Sequence, residues 1–490
     1  MYLRIDPSSP TPLRAQVIEQ IKNLIDRGTL QQGLRLPATR KLAQRLGVSR
    51  STIYEAYGEL QAMGYLRSRP GSYNIVQKRE REVEYNPERK STVPWQKLSA
   101  PAADVVFETY KRFGTDTTPV PRADDSPINL AGLDPDPRLF PLRDFKRSMN
   151  SVLTTVGAGT LGYGTHKGYP PLREYIAHRL RLHGIAVAAE EILITNGAQQ
   201  AIDLVLRLLV SQHHAVIIEA PSYGIILPLL KLHGVKVISV PMMPDGMDLV
   251  ALEQILERHR VSFIYTMPNF QNPTGITTSH GHRERLLDLC TRYRTPLLED
   301  GFEEDLKYFG RVDLPIKSID KANVVLYIGT FSKALFPGLR LGWITGHREC
   351  IDRLTAIKRY ADLSSANLTQ AVMHHFCEQG YYDLHLKRLH RVYRRRMEVA
   401  LKTMARSFPE GIEWTKPSGG YTLWVRMSGK LDLSRFQRAF RPHGVLVAPG
   451  MLFFPDARTS EYFRMSIATL NEAEITEAVQ RLGRALRAIP

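Results

Sequence analysis

A chain of 490 residues is longer than one ordinary hydrophobic core, so we expect two or three domains. Its composition, 43% hydrophobic and 23% charged, excludes wholesale disorder, and no apolar run approaches the ~20 residues of a membrane helix. The net charge of +17 exceeds what a generic enzyme needs and makes a polyanion the first partner to consider.

The N-terminus and the cysteines indicate a cellular compartment. The opening MYLRIDPSSPTPLR lacks the charged and then apolar pattern of a signal peptide. Cys290, Cys350 and Cys377 are widely spaced and form no CxxC pair, which argues against a disulfide framework or a zinc site. We therefore expect a cytoplasmic protein with no metal site and no membrane contact.

Residues 1–78 have the pattern of a small module of helices followed by a hairpin. The first predicted helix lies in AQVIEQIKNLIDRG, the second ends at Gly47, and the third begins after Ser49, a suitable N-cap. The predicted buried stripe of the third helix is Ile53, Ala56, Tyr57, Leu60 and Met63. A helix, a tight turn and a helix with the polar first turn Ser-Arg-Ser-Thr form the helix-turn-helix layout, whose second helix enters the major groove.

The charge of this module supports DNA as its partner. Residues 1–80 hold 13 Lys and Arg against 6 Asp and Glu, and basic modules neutralise the phosphates of DNA. A small helical bundle with a solvated basic face is the alternative interpretation.

The segment from PLRAQ to RPGS, residues 12–72, resembles the winged helix-turn-helix of the GntR superfamily. The resemblance implies contacts with double-stranded operator DNA from Arg40 and Arg50 at phosphates or base edges, and from Ser49, Ser51, Thr52 and Tyr54 in the groove or at the backbone. It also places Gly71 in the wing. Tyr73 stands where these proteins commonly have a second glycine, so insertion of the wing into the minor groove is less expected than the helix contacts.

The rest of the chain divides into a linker and a large domain. Residues 79–126 are charged and weakly periodic, as expected of a linker, although AADVVFETYKRF has helical spacing. From 127 to 490, apolar runs such as EILITN, AVIIEAP, VSFIYTMP, TPLLED and NVVLYIGT alternate with amphipathic helices, which predicts an α/β domain with a mostly parallel sheet. The basic run HLKRLHRVYRRRM is expected to be a solvated helix face, with a supplementary phosphate contact as the alternative.

One stretch of the large domain, GTFSKALFPGLRLGW, places Lys333 where an aldehyde cofactor could be anchored. Such a cofactor also needs a phosphate cradle, a carboxylate at its ring nitrogen and a flat side chain against its face. Thr330, Ser332 and Arg340 are candidates for the phosphate, together with the helix N-terminus after TNG. The other candidates follow strand ends, where open α/β sheets bind ligands: Asp300 for the ring nitrogen, Asn272 for the ring oxygen and Tyr223 for stacking.

The order and spacing of these elements resemble fold-type I enzymes that use pyridoxal 5'-phosphate (PLP), and most of all the class I/II aminotransferases. The resemblance runs from NLAGLDPDPRLFP near residue 129 to FRMSIA near residue 463. It implies that Lys333 forms a Schiff base with PLP and that Arg464 binds a substrate or effector carboxylate. The implied PLP contacts are Ala198, Gln199, Tyr223, Asn272, Asp300, Thr330, Ser332 and Arg340, with Tyr163 reaching the phosphate from the partner subunit of a homodimer.

The predicted fold is therefore multidomain: an α+β winged helix-turn-helix over residues 1–78, a linker over 79–126 and an α/β fold-type I PLP-dependent, aminotransferase-like domain over 127–490. This architecture resembles the MocR/GabR family of bacterial transcriptional regulators. The resemblance implies a homodimer, in a domain-swapped arrangement, that binds operator DNA. The expected small-molecule partner is an amine or amino-acid effector, or PLP itself.

Phe302 departs from the family pattern, because relatives commonly carry there a tyrosine that donates a hydrogen bond to the ring oxygen. Loss of that donor is expected to alter the proton balance at the cofactor and to reduce turnover. Two alternatives to a sensor stay open. One is an active aminotransferase with a tethered DNA-binding module, and the other is a DNA-binding protein whose large domain holds no cofactor.

Overall fold

The computed structural model of the protein describes residues 2–69, 73–77, 91–113, 127–211, 214–310 and 313–489. The chain forms two compact units, Met1–Trp95 and Gln96–Pro490. Gly71 and both ends of the predicted linker lie outside the described residues, so the linker stays a prediction. Among the helices of the described segments, none is long and apolar enough to cross a membrane.

The first unit contains three helices and a strand pair: α1 (Leu13–Asp26), α2 (Thr39–Leu46), α3 (Arg50–Ala62), β1 (Leu66–Arg69) and β2 (Tyr73–Val76). Gly47 ends α2 in the left-handed conformation, with φ of 65°, which glycine adopts without steric cost. Strands β1 and β2 pair antiparallel, as the predicted hairpin requires. The segment just before α2 lies beside β2, which the sequence does not predict. There the Leu36 amide donates to the Asn74 carbonyl.

The core of the first unit is formed by apolar residues of α1 and α3. Val17, Ile21, Ile53 and Leu60 are fully buried, as the helical spacing predicts. The prediction that Met63 belongs to this stripe is wrong. Met63 is 44% exposed because α3 ends at the preceding residue, so the helical spacing no longer directs this side chain to the core.

The second unit is built on an eight-stranded sheet in the order β4-β11-β10-β9-β8-β5-β6-β7. Strands β8, β9 and β10 and strands β5 and β6 run parallel, whereas β11 is antiparallel to both of its neighbours. This confirms the prediction of a mostly parallel α/β sheet. The strands of this sheet are β4 (Ile192–Thr195), β5 (Ala215–Ala220), β6 (Lys236–Met243), β7 (Gly246–Met247), β8 (Val261–Thr266), β9 (Leu297–Asp300), β10 (Val325–Thr330) and β11 (Gly342–Thr345).

Helices cover both faces of this sheet. Alternate residues of one strand point to opposite faces, so Val216 and Ile218 of β5 pack with α8, α9 and α12, and Ile217 packs with α10 and α11. The helices of the second unit and its N-terminal approach are α4 (Trp95–Leu98), α5 (Pro101–Phe113), α6 (Leu142–Thr155), α7 (Pro170–Leu182), α8 (Ala198–Leu209), α9 (Ile226–Leu232), α10 (Leu249–Arg258), α11 (His280–Arg292), α12 (Arg348–Asp362), α13 (Asn367–Glu378), α14 (Tyr381–Ser407), α15 (Leu433–Phe440) and α16 (Glu472–Arg487). Helix α5, predicted inside the linker, packs against α9.

A second, antiparallel sheet follows α14 in the order β12-β13-β16-β15. Helices α14 and α16 pack against each other beside it. Its central strand β16 carries Arg464, which lies opposite Trp424 of β13. The remaining strands are β3 (Ile128–Asn129), β12 (Glu413–Trp414), β13 (Thr422–Asp432), β14 (Val445–Leu446), β15 (Ala448–Pro449) and β16 (Thr459–Ser466).

Candidate functional site

The first turn of α3 presents the polar residues that the sequence assigns to DNA. Ser49 is the N-cap, and its hydroxyl accepts from the Thr52 amide at 3.0 Å and lies 2.7 Å from the Ser51 hydroxyl. Arg50 and Ser51 are exposed, and Tyr54 is 71% exposed one turn further on. Arg40, on the preceding helix α2, is exposed as well. Arg40, Arg50, Ser51 and Tyr54, four of the predicted DNA contacts, are therefore exposed on the first unit.

The second unit has a cavity at the carboxyl ends of its parallel strands. Strands β9 and β10 end at Asp300 and Thr330, which face this cavity, and Met267 lines it immediately after β8. The cavity has a volume of about 120 Å³. Nine predicted cofactor residues line it: Ala198, Gln199, Tyr223, Asn272, Asp300, Thr330, Ser332, Lys333 and Arg340.

Tyr163 is the predicted cofactor residue that the structure does not bring to this cavity. Its side chain is 86% exposed in the loop between α6 and α7. The prediction that it serves a partner subunit stays untested.

The N-terminus of α8 provides a cradle for an anion. Its N-cap, Gly197, has φ of 81° and ψ of 172°, and no side chain caps the first amides of the helix. Arg340 donates from Nη2 to the Asn196 carbonyl at 3.2 Å, beside this terminus. Uncapped helix amides and a guanidinium are the groups that bind phosphate. Thr330 and Ser332 add two hydroxyls 3.0 Å apart.

Asp300 is held by a tyrosine that sequence reasoning missed. Tyr265 of β8 donates its hydroxyl to Oδ2 of Asp300 at 2.7 Å, whereas Oδ1 is buried and has no hydrogen-bond partner. Burial raises the pKa of Asp300 to about 6, against the effect of the Tyr265 bond. A cationic ring nitrogen at Oδ1 would stabilise the carboxylate, so the free oxygen indicates where such a ring binds.

Lys333 lies at the border of the cavity, and its Nζ donates to the Leu133 carbonyl at 3.1 Å. Burial lowers the pKa of Lys333, and the carboxyl of Glu303 is the largest opposing influence. A lowered pKa increases the fraction of neutral amine, which is the form that attacks a carbonyl carbon.

Arg464 does not line the cavity itself but lies beside Asn272, which does. Its Nη1 donates to Oδ1 of Asn272 at 2.9 Å, its Nη2 donates to the Ala131 carbonyl, and its guanidinium carbon lies 5.0 Å from the Phe453 ring centre. Burial lowers the pKa of Arg464 to about 10, opposed most by Glu303. Since Oδ1 of Asn272 accepts from Arg464, the group that Asn272 can offer to a ring oxygen is its amide nitrogen, which is a donor.

These groups fit PLP by chemistry and by place. The uncapped α8 terminus with Arg340 fits the phosphate, the free oxygen of Asp300 fits the ring nitrogen, and the half-buried Lys333 fits the aldehyde. Glu303 and Tyr265 were missed because their relation to Lys333 and Asp300 depends on packing between strands. For Tyr265 there was no signal in the sequence. For Glu303 the signal was its position three residues after Asp300.

Comparisons with known proteins agree with this division of the chain. Residues 135–482 match the family "Aminotransferase class I and II", and residues 13–73 match "Bacterial regulatory proteins, gntR family". The solved structure of LysN, an alpha-aminoadipate aminotransferase of Thermus thermophilus complexed with N-(5'-phosphopyridoxyl)-L-leucine, has a TM-score of 0.73 and 31% identity, covering 81% of this chain and 98% of that one.

Two relatives match along nearly the whole chain. The uncharacterized HTH-type transcriptional regulator YisV of Bacillus subtilis is 31% identical over 477 residues, covering 95% of this chain and 94% of YisV. The probable rhizopine catabolism regulatory protein MocR of Rhizobium meliloti is 27% identical over 493 residues, covering 99% and 96% of the two chains. A gntR-family domain joined to an aminotransferase domain defines a class of regulator. The chain belongs to the class I and II aminotransferase family, in the MocR-type form that begins with a gntR-family DNA-binding domain.

Proposed function

We propose that this protein is a transcriptional regulator whose large domain holds PLP on Lys333 and responds to an amine or amino-acid effector. The observation that carries the proposal is the convergence of nine predicted residues on one cavity that contains an uncapped helix terminus and a free Asp300 oxygen. The gntR-family domain supports DNA as the partner and a cytoplasmic location.

Each group of the cavity has a separate task in this proposal. The first amides of α8, Ser332 and Arg340 bind the phosphate, and Asp300, held by Tyr265, keeps the ring nitrogen protonated. Bound PLP supplies an aldehyde carbon that exchanges one amine for another. Lys333 would be the amine of this chain that holds the cofactor there, and an effector amine would compete with it.

Arg464 orients the effector in this mechanism. A guanidinium binds a carboxylate through two parallel hydrogen bonds, and Nε of Arg464 is buried without a partner. The side chain therefore has donor capacity in reserve for an effector carboxylate. Exchange of Lys333 for the effector changes what fills the cavity, and this difference can shift the conformational equilibrium of the regulator.

The DNA-binding form in this proposal is a homodimer, because two helix-turn-helix modules match an operator of two half-sites. Tyr163 is fully available for a second subunit, where the sequence prediction assigns it to the partner's phosphate. A domain-swapped arrangement of the two subunits is part of the same proposal.

Affinity for DNA tests the regulator. We expect the full chain to bind the region upstream of its own gene, with an affinity that changes when PLP and then a panel of amines and amino acids is added. Lys333→Ala is expected to bind the DNA without responding to the panel, and Arg50→Ala to retain PLP but bind DNA weakly. If none of the additions changes the wild-type affinity, the sensor mechanism is wrong.

An active aminotransferase is the second candidate, supported by the complete set of cofactor groups in the cavity. It predicts sustained production of a keto acid from an amino acid in the presence of a keto-acid acceptor. A sensor predicts at most one equivalent of keto acid for each cofactor. If the turnover is sustained, a function in sensing alone is excluded.

A further inference from the structure

Glu303 lies beside the cofactor cavity, and no step of the proposed function uses it. It follows β9, is 1% exposed, and lines a second, smaller cavity of about 30 Å³. Phe302, Thr330 and Lys333 line both cavities, so the two adjoin at the lysine. The carboxyl of Glu303 is thus part of the wall on one side of Lys333.

The hydrogen bonds of Glu303 leave half of its carboxyl unused. Oε2 accepts from the Tyr421 amide at 3.2 Å, and Gly420 approaches so closely that a Cβ there would collide with Oε2. Oε1 is buried and has no hydrogen-bond partner. A buried carboxyl with a free oxygen costs stability. A purely structural role would need only the bond to the Tyr421 amide. It does not explain why a carboxyl with a free oxygen is buried here.

The charges around Glu303 connect it to the chemistry of the site. Burial raises the pKa of Glu303 to about 7, and Lys333 opposes this most. Glu303 is also the largest influence that raises the pKa of Lys333 and of Arg464 against burial. The titratable and charged groups that face it from the surrounding elements are Lys333, Arg464, Asp300, Tyr308 and Tyr421.

An amine effector meets a chemical obstacle at this site. Alkyl amines have pKa values of about 10, so they arrive as ammonium ions with no lone pair for a carbonyl carbon. A base close to Lys333 with a free oxygen removes the obstacle, and it works best when its pKa is near the operating pH.

We propose that Glu303 is the proton acceptor for the ammonium group of the incoming effector, an inference that rests on the PLP-binding function proposed above. Oε1 takes one N–H proton from the ammonium ion, which leaves a neutral amine and a neutral carboxylic acid. When Lys333 is displaced, its neutral amine takes this proton from Glu303 and becomes an ammonium ion. The exchange therefore conserves protons and charge, and Glu303 returns to the carboxylate.

The test is the rate at which the absorbance of the PLP-loaded full chain changes after methylamine is added. Methylamine has no carboxylate, so Arg464 does not enter the result. We expect the wild-type rate, per total methylamine, to rise up to about pH 7 and then to level off, because ammonium and carboxylate react together. In Glu303→Gln only free amine reacts, so the rate rises about tenfold per pH unit and is at least ~10-fold below wild type near pH 7.5. Glu303→Asp is expected to recover part of the plateau.

Glu304→Gln is the matched control. Glu304 neighbours Glu303, lines the same cavity and is half-buried, and burial raises its pKa to about 7. It accepts from Asn269, and Lys333 is not among the groups that shift its pKa. It is expected to keep the wild-type rate and plateau. A wild-type profile in Glu303→Gln overturns the inference, and so does an equal loss of rate in Glu304→Gln. If the wild-type chain shows no PLP absorbance, the proposed function itself fails.

Discussion

Gly197→Ala tests whether the α8 terminus and Arg340 form the phosphate cradle. A Cβ at residue 197 would lie 2.6 Å from Nη2 and 3.1 Å from the central carbon of the Arg340 guanidinium. The alanine therefore displaces the guanidinium from the terminus. The backbone of residue 197, with φ of 81° and ψ of 172°, is in a region that essentially only glycine occupies.

Two separate costs follow from this geometry. The strained alanine lowers the free energy of unfolding by about 1–3 kcal/mol. Displacement of Arg340 removes a charge-assisted hydrogen bond to phosphate worth ~1.5–3 kcal/mol. The dissociation constant of PLP is then expected to rise roughly 10- to 150-fold.

An absorbance titration of cofactor-free protein with PLP measures the second cost, and thermal unfolding measures the first. Gly234→Ala is the matched control, because Gly234 has φ of 64° but nothing within 4 Å of its Cβ position. It is expected to lose stability and keep PLP affinity. Arg340→Ala alone should weaken PLP binding. Adding Gly197→Ala to Arg340→Ala should weaken binding little further, since both substitutions remove the same interaction. Wild-type PLP affinity in Gly197→Ala would refute the cradle.

Three further predictions concern other parts of the molecule. Burial raises the pKa of Glu303 from 4.5 to about 7, so its contribution to stability is present below pH ~4.5 and is lost as the pH rises through 7. As the pH rises from 5 to 8, the unfolding free energy of Glu303→Gln should therefore increase by up to about 3 kcal/mol relative to wild type. Denaturant titrations of cofactor-free protein measure this, and a difference between the two proteins that does not change with pH would contradict the raised pKa of Glu303. Glu219 accepts from the Thr266 hydroxyl, the Met267 amide and Nε2 of Gln271, and Glu219→Gln should lose about 2 kcal/mol in the same assay. Arg50→Ala should reduce by about one the slope of log affinity for DNA against log salt concentration, and an unchanged slope would remove Arg50 from the phosphate contacts.

The sequence predicted most successfully where one short segment determines the structure. Strands buried on both faces, such as AVIIEA, read as continuous apolar runs, and the alternation of such runs with amphipathic helices predicts a parallel sheet. The turn at Gly47 and the N-cap at Ser49 were equally legible, because each depends on a few neighbouring residues. The same holds for the cofactor groups at strand ends, since parallel strands bring their carboxyl ends to one edge.

Predictions failed where distant partners decide the environment. The basic run of α14 was expected to be a solvated face, and Lys387, Arg388, Arg391, Arg394 and Arg395 are exposed. Arg396 is the exception: it is buried, and its Nη2 lies 2.6 Å from Oδ2 of Asp136, 260 positions away. No local pattern distinguishes Arg396 from the exposed Arg395 beside it. The role of Tyr265 was not predicted for the same reason. It lies in an apolar strand, and the partner of its hydroxyl, Asp300, is on the neighbouring strand.

Phe302 and Glu303 together change what the departure from the family pattern means. A phenylalanine at residue 302 removes a donor from the ring oxygen, and taken alone it predicts only a weaker reaction. The structure places a carboxyl one residue later, whose buried Oε1 has no hydrogen-bond partner, in a residue that lines the same small cavity as Lys333. A carboxyl with a pKa near 7 can exchange protons with amines at neutral pH, which a tyrosine with a pKa near 10 does poorly. The site has thus lost a group that tunes the bound cofactor and has one that favours exchange of one amine for another, and exchange is the step that a sensor needs.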